Sequence, residues 1–144
     1  MKTQRWYGIR KMFYALSVFA LIFTFVSCQN VAPLDKFGDL DVSMGNYDEA
    51  IKDYTKAINY KPSDPNGYIG RAYVYQKMGN HERAIEDYTK AIGLVPDDSN
   101  LYFARGSAFE LLGNNDQSIR DYQRAAALGN LKARNVLSSK GIRW

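Results

Sequence analysis

The chain has 144 residues, with 19 basic and 15 acidic side chains and a formal net charge of +4 at pH 7. Its single cysteine excludes an internal disulfide framework. Four of the basic residues and no acidic residue precede Cys28, so the rest of the chain carries equal numbers of opposite charges. We therefore expect no overall positive field that would attract nucleic acid.

Residues 1–27 have the pattern of a secretory signal peptide. A basic segment precedes the uncharged stretch Met12–Ser27, which is too short for a membrane span of about 20 residues but fits the apolar core of a signal peptide. The small residue Ser27 stands directly before Cys28, and this arrangement resembles a bacterial lipoprotein signal, in which cleavage leaves a lipidated cysteine. We expect lipidation at Cys28 and a short linker over 28–33.

Two alternatives to lipidation stay open. The segment could be cleaved without lipid after Ser27 or Ala32, or it could remain as a short anchor. All three interpretations place the later residues outside the cytoplasmic membrane of a bacterium. Gln29, rather than an aspartate, follows the cysteine, and by resemblance to proteobacterial sorting this favours the outer membrane. We expect a lipoprotein of the bacterial envelope that faces the periplasm or the cell surface.

From residue 31 onwards the sequence repeats with a period of 34 residues. Gly45, Gly79 and Gly113 recur at this lag, each followed by an asparagine, and isoleucine, aspartate, tyrosine and alanine recur with them. Pro62 and Pro96 close the first two periods. The sequence thus predicts repeats over about 31–64, 65–98 and 99–132, followed by a short amphipathic capping helix over about 131–139.

Local signals predict that each period is a helix–turn–helix hairpin. The second half of the first period places apolar residues at i, i+3, i+4 and i+7, the pattern of an amphipathic helix. The glycines suit the left-handed residue that ends a first helix, and the prolines stop the second helices. The spacing of a capping box occurs twice, in Asn46 with Glu49 and in Asn114 with Gln117.

Small side chains recur where the two helices of a hairpin are expected to meet. We expect Ala72 and Gly106 in first helices to face Ala84 and Ser118 in second helices, since overfilling such a contact costs roughly 1–3 kcal/mol. A hairpin cannot bury its own apolar face alone, so about three stacked repeats are needed for stability. The sequence provides three.

Charged residues at matching positions suggest ion pairs between successive repeats. Asp53 and Arg71 are separated by 18 residues, and so are Asp87 and Arg105. In each pair the acid lies on a second helix and the base on the first helix of the next repeat. We expect two equivalent ion pairs, whereas Asp121 should lack such a partner.

The central period has the most complete set of recurring positions: Tyr68, Arg71, Ala72, Tyr75, Gly79, Ala84, Tyr88, Ala91 and Pro96. This set, together with the period itself, resembles the tetratricopeptide repeat (TPR). The resemblance implies an all-α, right-handed superhelical solenoid over 34–144. Its elements would be three helix–turn–helix repeats and a C-terminal capping helix, seven helices in total.

The resemblance also implies a binding surface. In similar proteins a concave groove is lined by first-helix side chains at fixed repeat positions. Those positions correspond here to Asn66, Ile69, Tyr73, Gln76, Lys77, Asn100, Phe103, Ser107, Glu110 and Leu111. The less regular first repeat adds Asp35, Asp39, Val42 and Ser43. An alternative is that part of this surface only contacts neighbouring helices.

The side chains of this surface limit the kinds of ligand that we expect. Members of the family that bind chaperones clamp a terminal carboxylate with a basic set, which is missing from the groove positions here. Tyr73 and Phe103 are the aromatic side chains expected to anchor a peptide, and neither is needed for the packing that builds the hairpins. Truncating either should leave the fold intact.

No residue pattern predicts an enzyme, a cofactor or a metal site. The sole histidine, His81, is expected at the surface in the first turn of a second helix. We therefore expect a lipid-anchored adaptor or scaffold, monomeric without its partner, that binds a protein or peptide of the envelope. The alternative is a structural subunit that self-associates through the ends of the solenoid.

Overall fold

The computed structural model describes Asp39 and residues 41–144. Asp39 and residues 41–44 are helical. Six further helices follow in the described part: α1 (Tyr47–Tyr60), α2 (Pro65–Lys77), α3 (His81–Leu94), α4 (Ser99–Leu111), α5 (Asn115–Ala127) and α6 (Leu131–Ser139). Each packs mainly against its neighbours in the chain. The signal peptide and linker predicted over 1–33, with Cys28, lie outside the described residues.

Glycine turns join the first and second helix of each repeat. Gly79 has φ +77° and donates to the Gln76 carbonyl (3.1 Å), while the Asn80 amide donates to the Tyr75 carbonyl (2.8 Å). Gly113 repeats this geometry with φ +77°. A side chain would strain this left-handed conformation, and the two amides satisfy carbonyls at the end of the helix. The left-handed conformation predicted for both glycines is confirmed.

Aspartates begin the first helices of the second and third repeats. Asp64 and Asp98 adopt extended conformations as N-caps, and their carboxylates accept from the amides of Asn66 (3.1 Å) and Asn100 (2.9 Å). Pro65 follows as the first residue of α2, where its missing amide hydrogen costs nothing. These two caps were not recognised in the sequence, although aspartate before Pro or Ser is a typical start signal.

The predicted capping boxes are wrong, although Asn46 and Asn114 do occupy N-cap positions. Neither asparagine makes a side-chain hydrogen bond to its helix. The Asn46 amide is instead oriented towards Asp41, at 3.5 Å from its carboxylate. By contrast, the Asn80 side chain does cap helix α3, because its oxygen accepts from the Arg83 amide at 3.3 Å. Competition from a preceding acid therefore changes the role of the first asparagine.

Alanines and tyrosines form the core between the helices. Ala72 and Ala84 are fully buried in one cluster with Tyr88, as predicted for a close contact between α2 and α3. In the third repeat a Cβ added to Gly106 would lie 3.0 Å from the Tyr122 ring. Glycine at this position lets α4 approach the ring of α5, and a larger side chain would push the helices apart.

The arginines of the first helices join three helices each. Arg71 makes a two-pronged ion pair with Asp87 on α3, with N–O distances of 2.8 and 2.9 Å. Its third nitrogen, Nη1, donates to Thr55 on α1 at 3.0 Å. The third repeat copies the arrangement with Arg105, Asp121 and Thr89. Contact with the carboxylate raises the pKa of both guanidinium groups.

This geometry corrects the predicted ion pairs. Each arginine pairs with the aspartate 16 residues later in its own repeat, because threonine occupies the side facing the preceding repeat. Asp121, expected to lack a partner, is paired and buried, while Asp53 pairs with Lys56 at 2.6 Å. The sequence separation alone could not distinguish the two neighbouring second helices.

Helix α6 covers the end of the last repeat. The Asn130 side chain caps it by accepting from the Ala133 amide at 3.0 Å, and Ala133 and Leu137 are fully buried beside Tyr122. Among the described residues, no helix combines the length and apolarity required to cross a membrane. The prediction of an all-α solenoid of helical hairpins is confirmed.

Candidate peptide-binding face

The ten groove positions predicted on α2 and α4 are called the candidate face below. On α2 this face presents one large aromatic side chain, Tyr73, which is 46% exposed. Lys77, one turn later, lies with Nζ 5.2 Å from the centre of the Tyr73 ring. Asn66 is exposed at the beginning of the helix. These three side chains are available to a partner, and the cation keeps the tyrosine ring partly covered.

Two other α2 positions of the candidate face serve the core. Ile69 is half-buried and packs against the cluster that contains Tyr88. Gln76 accepts a hydrogen bond from the Tyr88 hydroxyl at 3.1 Å. Because a buried hydroxyl needs a partner, Gln76 is held in place by the fold. Helix α2 therefore carries some side chains that are available to a partner and others that are held by contacts of the fold.

On α4 the aromatic member of the candidate face is not free. Phe103 is half-buried, and its ring centre lies 5.4 Å from that of Tyr122 at an interplanar angle of 40°. It packs against the cluster of α5 and α6 side chains. The expectation that Phe103 is dispensable for packing is therefore wrong, because the ring fills space beside a buried tyrosine.

The residues that flank α6 contact two further α4 positions. Glu110 accepts from the Tyr122 hydroxyl at 2.7 Å and from Lys140 at 2.6 Å. The Asn100 side-chain oxygen accepts from the Asn130 amide at 3.2 Å. Both contacts were missed in the sequence, where nothing fixes the register of the capping helix against α4. Ser107 is half-buried, and Leu111 is left 59% exposed.

These contacts and burial shift the pKa values of Glu110 and of the two tyrosines bonded to the candidate face. The Lys140 ammonium, and then the Tyr122 hydroxyl, lower the pKa of Glu110, so its carboxylate stays charged at neutral pH. Burial, and then the nearby Glu110 carboxylate, raise the pKa of Tyr122 to about 12. Burial likewise raises the pKa of Tyr88 to about 12.

The first-repeat positions are only partly described. The Asp39 carboxylate accepts from the Tyr54 hydroxyl at 2.5 Å, and Val42 packs against the cluster containing Tyr54. Ser43 is exposed, and Asp35 lies outside the described residues. Of the first-repeat positions that the structure describes, Asp39 and Val42 therefore contact the core.

Within residues 39 and 41–144, no group of three or more His, Cys, Asp or Glu side chains could hold a metal ion. His81 differs from its predicted role as a solvated surface residue. It is half-buried, and its Nδ1 atom is enclosed without a hydrogen-bond partner among the described residues. The ring lies in the first turn of α3.

Three family models match consecutive parts of the chain. The model described as TPR repeat matches residues 38–79, and two models described as Tetratricopeptide repeat match residues 65–98 and 99–128. Together they cover the helices α1 to α5. The chain belongs to the tetratricopeptide repeat family.

Solved TPR structures resemble the chain over most of its length. The first TPR of Spaghetti (RPAP3), bound to the HSP90 peptide SRMEEVD, is 30% identical with a TM-score of 0.69, covering 74% of this chain and 86% of its own. The second TPR domain of human RPAP3, in complex with the HSP70 peptide SGPTIEEVD, is 28% identical with a TM-score of 0.70, covering 77% and 94%.

A third similar structure is that of MamA, which is 28% identical with a TM-score of 0.62. The match covers 67% of this chain and 53% of MamA. No curated protein matches the chain significantly. The TPR neighbours with bound peptides support a role in protein–protein interaction, and they are protein-interaction domains rather than enzymes.

Proposed function

We propose that this TPR protein is a lipid-anchored adaptor of the bacterial envelope that binds a partner peptide along the candidate face. The observation that supports it best is the exposure of Tyr73 (46%) and Leu111 (59%) on the first helices of adjacent repeats. Two apolar side chains on one face of a stacked pair can contact one extended peptide. TPR domains solved with peptides, 28–30% identical to this chain, support binding of a peptide.

The charges of the candidate face set the kind of peptide expected. Lys77 is its only cation, and that cation lies over Tyr73. Glu110 adds a carboxylate that already binds Lys140. The face therefore has no basic set for a terminal carboxylate like those of the HSP90 and HSP70 peptides. We expect a peptide with apolar side chains for Tyr73 and Leu111 and a backbone that bonds to Asn66.

Site-specific cross-linking tests the binding face. A photoreactive residue placed at Leu111 should capture the partner in envelope extracts, and Tyr73→Ala should weaken that capture at least tenfold, as expected for loss of an anchor. The control is a photoreactive residue at Lys90, which is exposed on the second helix α3. Equal capture from Lys90, or capture unaffected by Tyr73→Ala, would contradict the proposed face.

Size measurements separate the adaptor from the self-associating subunit. The purified chain should stay monomeric across a concentration series, because an adaptor needs its partner to assemble. Growth into larger species with rising concentration would favour the structural alternative. A cross-link formed at Leu111 with a second copy of the chain would support that alternative as well.

The membrane anchor is tested at Cys28. The motivation is the uncharged stretch before this single cysteine, since lipidation of one thiol can hold a protein at a membrane when a second interaction adds to it. Cys28→Ser should move the protein from the membrane to the soluble envelope fraction. Unchanged fractionation, together with an unmodified peptide mass at the N-terminus of the mature chain, would exclude a lipid anchor.

A further inference from the structure

Charge is distributed unevenly along the solenoid. Residues 122–144, which include the end of α5 and all of α6, contain five basic and no acidic side chains. Residues 39–121 contain 14 acidic and nine basic side chains. The C-terminal end is thus strongly positive, while the body of the solenoid is negative. The net charge of zero over residues 28–144 conceals this polarity.

Most of the positive charge at this end has no acidic partner. Lys140 pairs with Glu110, and Arg124 lies 3.9 Å from Asp97. Lys132, Arg134 and Arg143 form no ion pair with any described residue: the Arg134 guanidinium donates to the Ala126 carbonyl, which carries no net charge. Three cations are left for an external anion.

Exposed apolar side chains flank these cations. Leu131, the first residue of α6, is 69% exposed, and Trp144 beyond the helix is 56% exposed. The inner side of α6 is buried through Ala133 and Leu137, so the opposite side with Lys132 and Asn135 faces outward. The Arg143 carbonyl accepts from Gln123 on α5 at 3.2 Å, which holds the terminal segment against the last repeat.

We propose that this C-terminal surface docks onto an anionic phospholipid bilayer. Lys132, Arg134 and Arg143 would contact headgroup phosphates, while Leu131 and Trp144 enter the interfacial region, where an aromatic ring with a polar N–H is favoured. An anionic bilayer touches only this positive end. A long nucleic acid would also meet the negative body and be repelled, so it fits the charge polarity less well. The proposal depends on neither the candidate face nor Cys28.

The interaction should be weak and sensitive to salt. Each Lys or Arg near an anionic membrane surface contributes about fivefold to partitioning, and the attraction decays within a Debye length. Removing two of the three unpaired cations should therefore lower partitioning roughly 25-fold at low salt. Partitioning onto neutral lipid should change little, because only the apolar side chains act there.

Tryptophan fluorescence of the full chain provides the test. The chain contains two tryptophans, so Trp6→Phe leaves Trp144 as the only reporter. Vesicles of phosphatidylcholine with phosphatidylglycerol should shift Trp144 emission to the blue, and brominated lipid should quench it. The double variant Lys132→Gln/Arg143→Gln should reduce both effects. The control Lys56→Gln/Lys90→Gln removes equal charge from the exposed sides of α1 and α3.

The N-terminal basic residues and apolar stretch are present in every variant, so they cancel in the comparison. An unchanged Trp144 spectrum on anionic vesicles would overturn the proposal, even if the chain co-sediments through its N-terminus. So would equal losses in the two double variants. A blue shift that appears without lipid at high protein concentration, or with DNA but not with vesicles, would assign the surface to a second copy or to a nucleic acid instead.

Discussion

The second and third repeats carry the large aromatic side chain of the candidate face at non-equivalent positions, Tyr73 in the second and Phe103 in the third. On α2, Tyr73 is 46% exposed and contacts Lys77 of its own helix, and it lies near enough to the buried Tyr88 to help raise the pKa of that hydroxyl. On α4, Phe103 packs on Tyr122, and Glu110 is bound by Lys140. The same scaffold therefore offers an open surface in one repeat and a largely occupied one in the next.

The capping helix explains the difference. Every internal repeat of a solenoid is followed by another hairpin, whereas the third repeat here is followed by the single helix α6. Asn130 and Lys140, the residues that flank this helix, reach Asn100 and Glu110 on α4. The last repeat thus gives part of its face to the cap, because terminal repeats must bury an otherwise exposed side. Equivalence in sequence does not guarantee equivalence in binding.

The largest expected effects concern the arginine ion pairs, which should be equal in the two repeats. Asp87→Asn and Asp121→Asn each leave a half-buried guanidinium without its carboxylate. We expect each to lower the free energy of unfolding by about 3 kcal/mol, as for loss of one partner of a buried pair. Urea denaturation measures both losses.

A double-mutant cycle identifies the partners. Asp87→Ala should couple with Arg71→Met and not with Arg105→Met, since Arg71 contacts Asp87 at 2.8 Å. If the two aspartate variants differ strongly in stability, the repeats differ in their framework as well as in their faces. In that case the two repeats could no longer be treated as copies of one framework.

Alkaline unfolding compares the two buried tyrosines. An ordinary tyrosine pKa of 10.0 is raised to about 12 for Tyr88 and for Tyr122, so the folded state favours the neutral hydroxyl. The stabilisation is complete below pH 10 and is lost as pH rises towards 12, by up to about 1.4 kcal/mol per pH unit for each tyrosine. Tyr88→Phe and Tyr122→Phe should each reduce this loss of stability at high pH.

The repeats differ in what accepts the hydroxyl. Gln76 is neutral, whereas Glu110 is a carboxylate that adds to the effect of burial on Tyr122. Glu110→Gln should therefore lower the pKa of Tyr122, measured by ultraviolet titration, and leave Tyr88 unchanged. An equal change at both tyrosines would show that the acceptor has no local effect.

Much of this architecture follows from the sequence, and the exceptions have physical reasons. The period, the left-handed glycines and the helical hairpins depend on local signals, so they were predicted. The partners of Arg71 depend on which neighbouring helix its guanidinium faces, and both candidates lie at similar separations in sequence. Phe103 occupies the position equivalent to Ile69, and both side chains pack on the core. The contact of Glu110 with Lys140 depends on the docking of α6, which no repeat position specifies. Whether Tyr73 and Leu111 bind a partner stays a prediction.

Truncating the two aromatic residues should affect stability differently in the two repeats. Phe103→Ala removes a ring that packs on Tyr122, and we expect a loss of about 2 kcal/mol in stability, less than for a fully buried phenylalanine. Tyr73→Ala should change stability by no more than about 0.5 kcal/mol, as for most surface substitutions. Thermal melting measures both, with the overpacked Ala84→Leu as a reference for damage to the core.

For binding we expect the opposite order, with Tyr73→Ala more damaging than Phe103→Ala. Tyr73→Ala should weaken capture of the partner tenfold or more at nearly unchanged stability. Phe103→Ala should weaken capture only in proportion to the unfolded fraction. If Tyr73→Ala destabilises the chain as much as Phe103→Ala does, the second-repeat tyrosine belongs to the core and the contrast between the faces disappears.

The smallest expected effect comes from releasing Glu110 from the cap. The Lys140–Glu110 pair is more than one third exposed on both sides, so Lys140→Gln should cost only about 0–1 kcal/mol. Lysine is the main cause that lowers the pKa of Glu110, and the variant should raise that pKa towards its ordinary value of 4.5. NMR titration of the carboxylate measures the change.

The sign of the pH dependence follows from the lowered pKa. In the wild-type chain the charged Glu110 stabilises the fold above pH 4.5, and this contribution is lost as pH falls through the folded pKa. Lys140→Gln should reduce that acid-sensitive part, whereas Lys52→Gln, which breaks an exposed pair on α1, should leave Glu110 unaffected. If Glu110 titrates identically in all three proteins, Lys140 does not hold it. The third-repeat face would then be as open at this position as the second, and the cap would not account for their difference.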